Sequence, residues 1–235
     1  MQKIKQFIKT HPHMWWGLYM PVYLIMYFTV EHVVTDNYWA TQTAIDNYIP
    51  FCEYFVIPYN SWSILLFVLG VFFIVKDPES FRRYMWFIAI AYTTATLFCF
   101  LVPNGQDLRP AVLPRHNICT RILQMTWAAD NNANVFPSVH VLGVVAAIAA
   151  MWHSPKLKRI WQILGTVWFA IIAASTLLVK QHAFIDLAAG FAWGGVVYII
   201  VYVIIGHKRD KRGLRCGADS PEREADYDHS PNAGI

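Results

Sequence analysis

Charge is what this chain has least of. Of its 235 residues, 14% are Asp, Glu, Lys or Arg, where soluble domains usually carry roughly 25%. That deficit argues against an ordinary soluble surface. Residues 34–60 contain no Lys or Arg at all. The four cysteines form no metal-type CxxC pair, which argues against a thiolate metal site. No repeat of fixed period occurs, so a repeat array is excluded as well.

What fills the sequence is apolar. Hydrophobic residues make up 56% of the chain, and the mean hydropathy is +0.35. They fall in blocks near the length that crosses a bilayer, about 20 residues. Six blocks stand out: 14–33, 62–76, 84–103, 139–152, 160–179 and 186–206. The second is short and is expected to extend back through 51–60. The fourth is short and starts abruptly after Ser138. Trp15, Trp16, Trp62, Trp86, Trp152 and Trp161 sit near block ends, as interfacial aromatics do.

The basic residues then set an orientation. With the N-terminus cytoplasmic, all of the 19 Lys and Arg except Arg109, Arg115, Arg121 and Lys180 fall on the cytoplasmic side. The positive-inside rule therefore predicts an all-α, polytopic membrane protein with six transmembrane helices and both termini cytoplasmic. Its setting is the cell membrane. The net charge of +4 reads as topology rather than as affinity for nucleic acid. The basic start before Trp15 resembles a signal peptide, but the segment is long and lacks a small-x-small cleavage pattern, so an uncleaved first span is expected. Residues 1–206 form the expected six-span catalytic domain, with a core at about 60–206. The polar tail, 207–235, is expected to be disordered and cytoplasmic. Cys99 falls inside a span and Cys216 in the tail. Cys52 and Cys119 fall on the outer side, where a disulfide can form.

The polar residues gather in three stretches: 104–117, 131–143 and 175–187. The expected topology brings all three to the extracytoplasmic face. In the second stretch, Ser138 precedes an apolar helix as a favoured N-cap. The free N–H groups at that helix start make an anion site, and His140 stands in the first turn. Read alone, the pair also fits a capping serine with an interfacial histidine. In the third stretch, His182 and Asp186 have i, i+4 spacing. A helix places the carboxylate beside the imidazole, which fixes the tautomer and raises the basicity of the other nitrogen. The alternative is an Asp answering a helix dipole beside an unrelated histidine. Lys180 either snorkels to headgroups or, with Arg109, supplies charge to bind a phosphate. Arg109-Pro110 alone reads as an ordinary loop.

Together these residues resemble the type 2 phosphatidic acid phosphatase superfamily, membrane lipid phosphatases and phosphotransferases with a six-span core. Its signature runs Lys-x6-Arg-Pro, Pro-Ser-Gly-His and Ser-Arg-x5-His-x3-Asp. Here the three parts read Val102-x6-Arg109-Pro110, Pro137-Ser138-Val139-His140 and Ser175-Thr176-x5-His182-x3-Asp186. The resemblance implies a catalytic set of His140, His182 and Asp186. His182 would attack phosphorus to give a phosphohistidine, Asp186 would orient it, and His140 would protonate the leaving alkoxide. Arg109 and the backbone at Ser138 would bind phosphate, with no metal and no cofactor required. Three family residues are replaced, by Val102, Val139 and Thr176, and two of the three changes remove a cation. Lys180 is the expected compensation, with Arg115 and Arg121 as further candidates.

The expected activity is metal-independent hydrolysis of a lipid phosphate monoester or pyrophosphate. Phosphatidate, phosphatidylglycerol phosphate and polyprenyl diphosphate are candidate substrates. The partners are thus a lipid phosphate and the bilayer; the oligomeric state is left open. The same chemistry also fits a phosphotransferase resembling sphingolipid headgroup synthases. A transporter or channel would need polar residues trailing across the bilayer, and these gather at one face. A metal-dependent hydrolase would draw on His116 with His140, His182 and Asp186.

Overall fold

The computed structural model describes residues 2–33 and 38–206. The tail at 207–235, expected to be disordered, and Cys216 within it lie outside the described residues. The chain is mostly helical, as expected. Helix α1 (Gln2–Thr10) is followed by a 3-10 helix at Pro12–Leu18 and by α2 (Tyr19–Val33). Further along come α3 (Val56–Lys76), α4 (Pro78–Leu101), α5 (Ile118–Ala129), α6 (Val139–His153), α7 (Arg159–Leu178) and α8 (Phe184–Tyr198). A π-helical stretch, Ile199–Ile205, continues α8.

Among the described residues, four helices are long and apolar enough to cross a membrane: Glu53–Lys76, Pro78–Leu101, Arg159–Leu178 and Phe184–Ile205. The first confirms the backward extension read from residues 51–60. The other two expected spans are shorter helices. In 14–33 the 3-10 helix breaks the run, leaving 15 residues in α2. Helix α6 also has 15 residues, about 22 Å at 1.5 Å per residue, against roughly 30 Å of hydrocarbon.

Helix α6 is short because it is internal. Val141, Leu142, Val144, Ala146, Ala147 and Ala150 are wholly buried. On one side it joins Tyr84, Phe87, Ile88, Tyr92 and Ala95 of α4 and Val197 of α8. On the other it packs on Phe169, Ile172 and Ala173 of α7. Its alanines let neighbouring backbones come close. One close approach involves Gly190 of α8, where an added Cβ would lie 2.8 Å from Val141 Cβ and 3.1 Å from the Ser138 carbonyl. Only a residue without a side chain lets α8 sit this near the start of α6.

At that end of the bundle the loops are stitched together. Strands β1 (Trp39–Ala40) and β2 (Asn104–Gly105) pair in parallel, and Gly105 bridges to Ala133. The Gln106 N–H donates to the Asn132 carbonyl at 2.9 Å, and the Asn134 N–H to the Asn104 carbonyl at 2.7 Å. Asn104 also fixes the approach to α6: its side chain donates to the Val102 carbonyl and accepts from the Phe136 N–H, each at 2.8 Å. The Phe136–Pro137 peptide is cis. Cys52, Cys99 and Cys119 are all free thiols, so no disulfide joins Cys52 to Cys119.

Candidate active site

Helix α6 starts at Ser138, whose hydroxyl accepts a long 3.4 Å bond from the Val141 N–H. The Ser138 N–H donates to the Asp186 carbonyl at 3.1 Å. That bond ties the second polar stretch to the third through the backbone. One turn on, His140 faces His182, with Nδ1 of the first 3.2 Å from Nε2 of the second. The rings meet edge to face at 5.3 Å.

His182 stands in the turn between α7 and α8. Both its N–H and that of Gln181 donate to the Thr176 carbonyl, at 3.1 and 3.0 Å. This folds the chain back so that the His182 ring points inward. Asp186, in the first turn of α8, accepts from the Ala183 N–H at 2.7 Å through Oδ2, as an N3 carboxylate does toward its N-cap. The same oxygen lies 3.6 Å from His182 Nδ1, just beyond hydrogen-bond reach. His182 Nδ1 and Asp186 Oδ1 are buried and have no other partner. A shift of a few tenths of an ångström would bring the two within hydrogen-bond distance.

Arg109 reaches the same turn from the first polar stretch. It donates from Nη1 to the Trp127 carbonyl at 3.1 Å, and from Nη2 to the Asp130 carbonyl at 2.7 Å and Gln181 Oε1 at 2.8 Å. Its guanidinium stands 5.4 Å from the centre of the Trp127 ring. Burial pushes its pKa down, against the opposing pull of the Asp130 carboxylate. Its Nε is buried and free of any partner, a donor still available to an anion.

Lys180 is directed elsewhere. Its φ of 57° turns the chain in the left-handed region. Its Nζ donates to the carbonyls of Asp46 at 3.2 Å and Ile49 at 2.6 Å. Burial lowers its pKa, opposed by the Asp46 carboxylate. To replace a missing phosphate ligand it would have to leave those carbonyls. Arg115 is equally committed: Nε and Nη2 grip both oxygens of the buried Glu53 at 2.6 and 2.8 Å. Arg121 is exposed on α5.

Several contributors escaped the sequence reading. Gln181 links Arg109 to the carbonyls of Asp130 and Asn131. Gln106 donates to the Lys180 carbonyl at 3.0 Å. Asp46 accepts from the Phe184 N–H at 2.7 Å and so braces the start of α8. Tyr59 and Trp62 lie against the His140 ring at 4.6 and 4.3 Å. Trp62 reads in the sequence only as an interfacial aromatic, and the uncharged polar neighbours of Tyr59, Asn60 and Ser61, carry no motif. A cavity of about 460 Å³, lined by Tyr59, Trp62, Ile122, Met125 and Asp130 among others, reaches His140. Among the described residues, no three His, Cys, Asp or Glu side chains converge as a metal-holding group.

Facing histidines, a carboxylate behind one of them and an arginine beside the turn thus meet at one end of a bundle whose long helices are apolar enough to cross a membrane. The profile of the PAP2 superfamily matches residues 83–210, more than half of the chain. The chain belongs to that superfamily, which bears out the resemblance read from the three motifs. Phosphatases and phosphotransferases make up the superfamily. No curated protein matches the chain, and no solved structure matches it.

Proposed function

We propose that this protein is a lipid phosphate phosphatase that works at the extracytoplasmic face through a phosphohistidine. The observation that carries the reading is the 3.2 Å approach of His140 Nδ1 to His182 Nε2, with Asp186 behind His182. One proton arrangement satisfies all three groups: Asp186 takes Nδ1–H of His182, and His140 Nδ1–H donates to the bare Nε2 of His182.

Substrate inserts its phosphoryl group between the two rings, which must part to admit it. His182 Nε2 attacks phosphorus and forms the P–N bond. The P–O ester bond breaks, and the Nδ1 proton of His140 passes to the leaving oxygen. Asp186 stabilises the positive charge that develops on the phosphorylated imidazole. Arg109 Nε and the N–H groups of the first turn of α6, after Ser138, bind the equatorial oxygens. Water then attacks phosphorus, His140 takes its proton, and His182 leaves. Lys180 supports the turn that carries His182, and reaches phosphate only by giving up its carbonyls. Positive-inside charge favours the extracytoplasmic side, since the site end of the bundle carries few of the basic residues.

The deciding experiment is a phosphate-release screen over phosphatidate, phosphatidylglycerol phosphate and polyprenyl diphosphate, comparing wild type with His182→Ala. Release by wild type alone, with a phosphohistidine trapped on His182, supports the reading. If folded wild type releases nothing from any lipid, the reading is lost. A new phosphodiester in place of free phosphate would assign the transferase chemistry instead.

A further inference from the structure

Asp130 follows α5 and has no part in the mechanism above, yet it touches both halves of the site. Tyr27 of α2 donates to its Oδ1 and Tyr59 of α3 to its Oδ2, each at 3.0 Å. Its carbonyl accepts from Arg109 Nη2 at 2.7 Å and from Gln181 Nε2 at 3.3 Å. As a helix-ending residue it would need none of this: its N–H already closes α5 on the Thr126 carbonyl.

The two sets of bonds lead to different catalytic groups. Tyr59 is 4% exposed, and its ring faces the His140 ring at 4.6 Å with 32° between the planes. Trp62 covers the same imidazole, and its Nε1 donates to the His140 carbonyl at 3.0 Å. The orientation of His140 is thus set by two aromatic rings, one of which is tethered by Asp130. A Tyr59 hydroxyl committed to a carboxylate is not offered to phosphate, so Tyr59 acts as a wall. The Arg109 guanidinium, meanwhile, is held by the carbonyl of the same residue and balanced by its carboxylate.

We propose that Asp130 is a positioning residue that couples the proton donor His140, through Tyr59, to the phosphate-binding Arg109. The proposal rests on the roles given to His140 and Arg109 above. Moving Asp130 shifts both at once, so correct placement of phosphate and of the leaving-group proton becomes one event.

Three variants test it. Asp130→Asn keeps the shape but removes the charge and one acceptor. Tyr59→Phe keeps the ring and removes the tether. Tyr27→Phe frees the other oxygen without touching His140. Tyr59→Phe is expected to lower kcat roughly tenfold with KM nearly unchanged, whereas Asp130→Asn lowers kcat and also raises KM. The double variant should lose no more kcat than Asp130→Asn alone, because both changes cut one linkage. Independent additive losses, or wild-type kcat in both single variants, overturn the coupling. A readout without substrate is the rate at which diethyl pyrocarbonate modifies His140 at fixed pH, followed by mass spectrometry. It should rise several-fold in Tyr59→Phe and Asp130→Asn, and an unchanged rate overturns the proposal even if no lipid is turned over. Absence of turnover with a raised modification rate instead sinks the phosphatase reading and leaves the linkage standing. If Asp130→Asn does not fold, Tyr27→Phe takes its place, with a smaller kcat loss that disappears in the Tyr59→Phe background. Full additivity of that pair overturns it.

Discussion

Helix α6 carries a serine and a histidine at each end, and each pair has an aspartate from another part of the chain within its cluster. At the start stand Ser138 and His140, with Asp186 nearby. At the finish stand His153 and Ser154, with Asp77. The second set is satisfied throughout. Ser154 Oγ donates to Asp77 Oδ2 at 2.6 Å, and Asp77 Oδ1 accepts from the Ser80 N–H at 3.1 Å to cap α4. His153 places Nδ1 2.9 Å from the Ala149 carbonyl and Nε2 3.4 Å from the Tyr198 hydroxyl. At the first set His182 Nδ1, Asp186 Oδ1 and the neighbouring Arg109 Nε are buried without partners. Buried polar atoms are normally paired. The same residue types thus make a helix cap where every atom is used, and a candidate reaction site where some are held back.

The comparison is sharpest where the histidines are removed. His182→Ala should lower lipid phosphate turnover by more than about 10³-fold, while His153→Ala leaves kcat within about twofold of wild type. Comparable losses in both would erase the distinction between the two ends. Next in size are the cations. Arg109→Ala should cost about 10²-fold in kcat/KM, and Lys180→Ala roughly tenfold less, since Lys180 is spent on carbonyls. Equal losses measured side by side would return Lys180 to the phosphate.

A smaller effect is expected where α8 meets the start of α6. Gly190→Ala forces a Cβ against Val141 and the Ser138 carbonyl, an overpacking worth about 1–3 kcal/mol. It should lower the Tm in detergent and reduce turnover together, because the displaced helices carry Asp186 and His140. The smallest effect belongs to the opposite end. Asp77→Asn removes the charge but keeps a capping side chain, so it should cost less than about 1 kcal/mol of stability with kcat intact. Burial pushes the Asp77 carboxyl up, but hydrogen bonds from Ser154 and Ser80 outweigh it and hold the pKa below its usual value. Its folded pKa therefore lies under its unfolded one. The stability it adds is present above the ordinary carboxylate range, near pH 4, and fades as pH falls through the folded value. The Tm gap between wild type and Asp77→Asn should close in acid. A gap that widens there would reverse the assignment.

Periodic composition made the helices legible, and four of the expected spans appear with nearly the expected limits. The limits of α6 carried over as well, 139–152 against Val139–His153, but its internal place did not, because an apolar run says nothing about whether it faces lipid or other helices. The three motifs were legible as well: Ser138 caps α6, and His182 and Asp186 come close, although His182 stands in the turn before α8 and not on a shared helix. Lys180 shows where such reading stops. Spacing put it near the position of Thr176 on a continuing helix, but the chain leaves the helix at Val179 and φ at Lys180 is positive. The side chain turns to carbonyls contributed by residues 46 and 49. Gln181, Asp130 and Tyr59 were silent for a different reason: each matters through partners dozens of residues away, and a single sequence carries no sign of those pairings.

The bond from the Ser138 N–H to the Asp186 carbonyl has a consequence for biosynthesis. The donor belongs to the start of α6 and the acceptor to the start of α8. A growing chain cannot make it until residue 186 has emerged and α8 has docked beside Gly190. Until then His140 has no His182 to face, and Arg109 has no Gln181 to hold it. On the proposed reading, the site is therefore assembled only once α8 has docked.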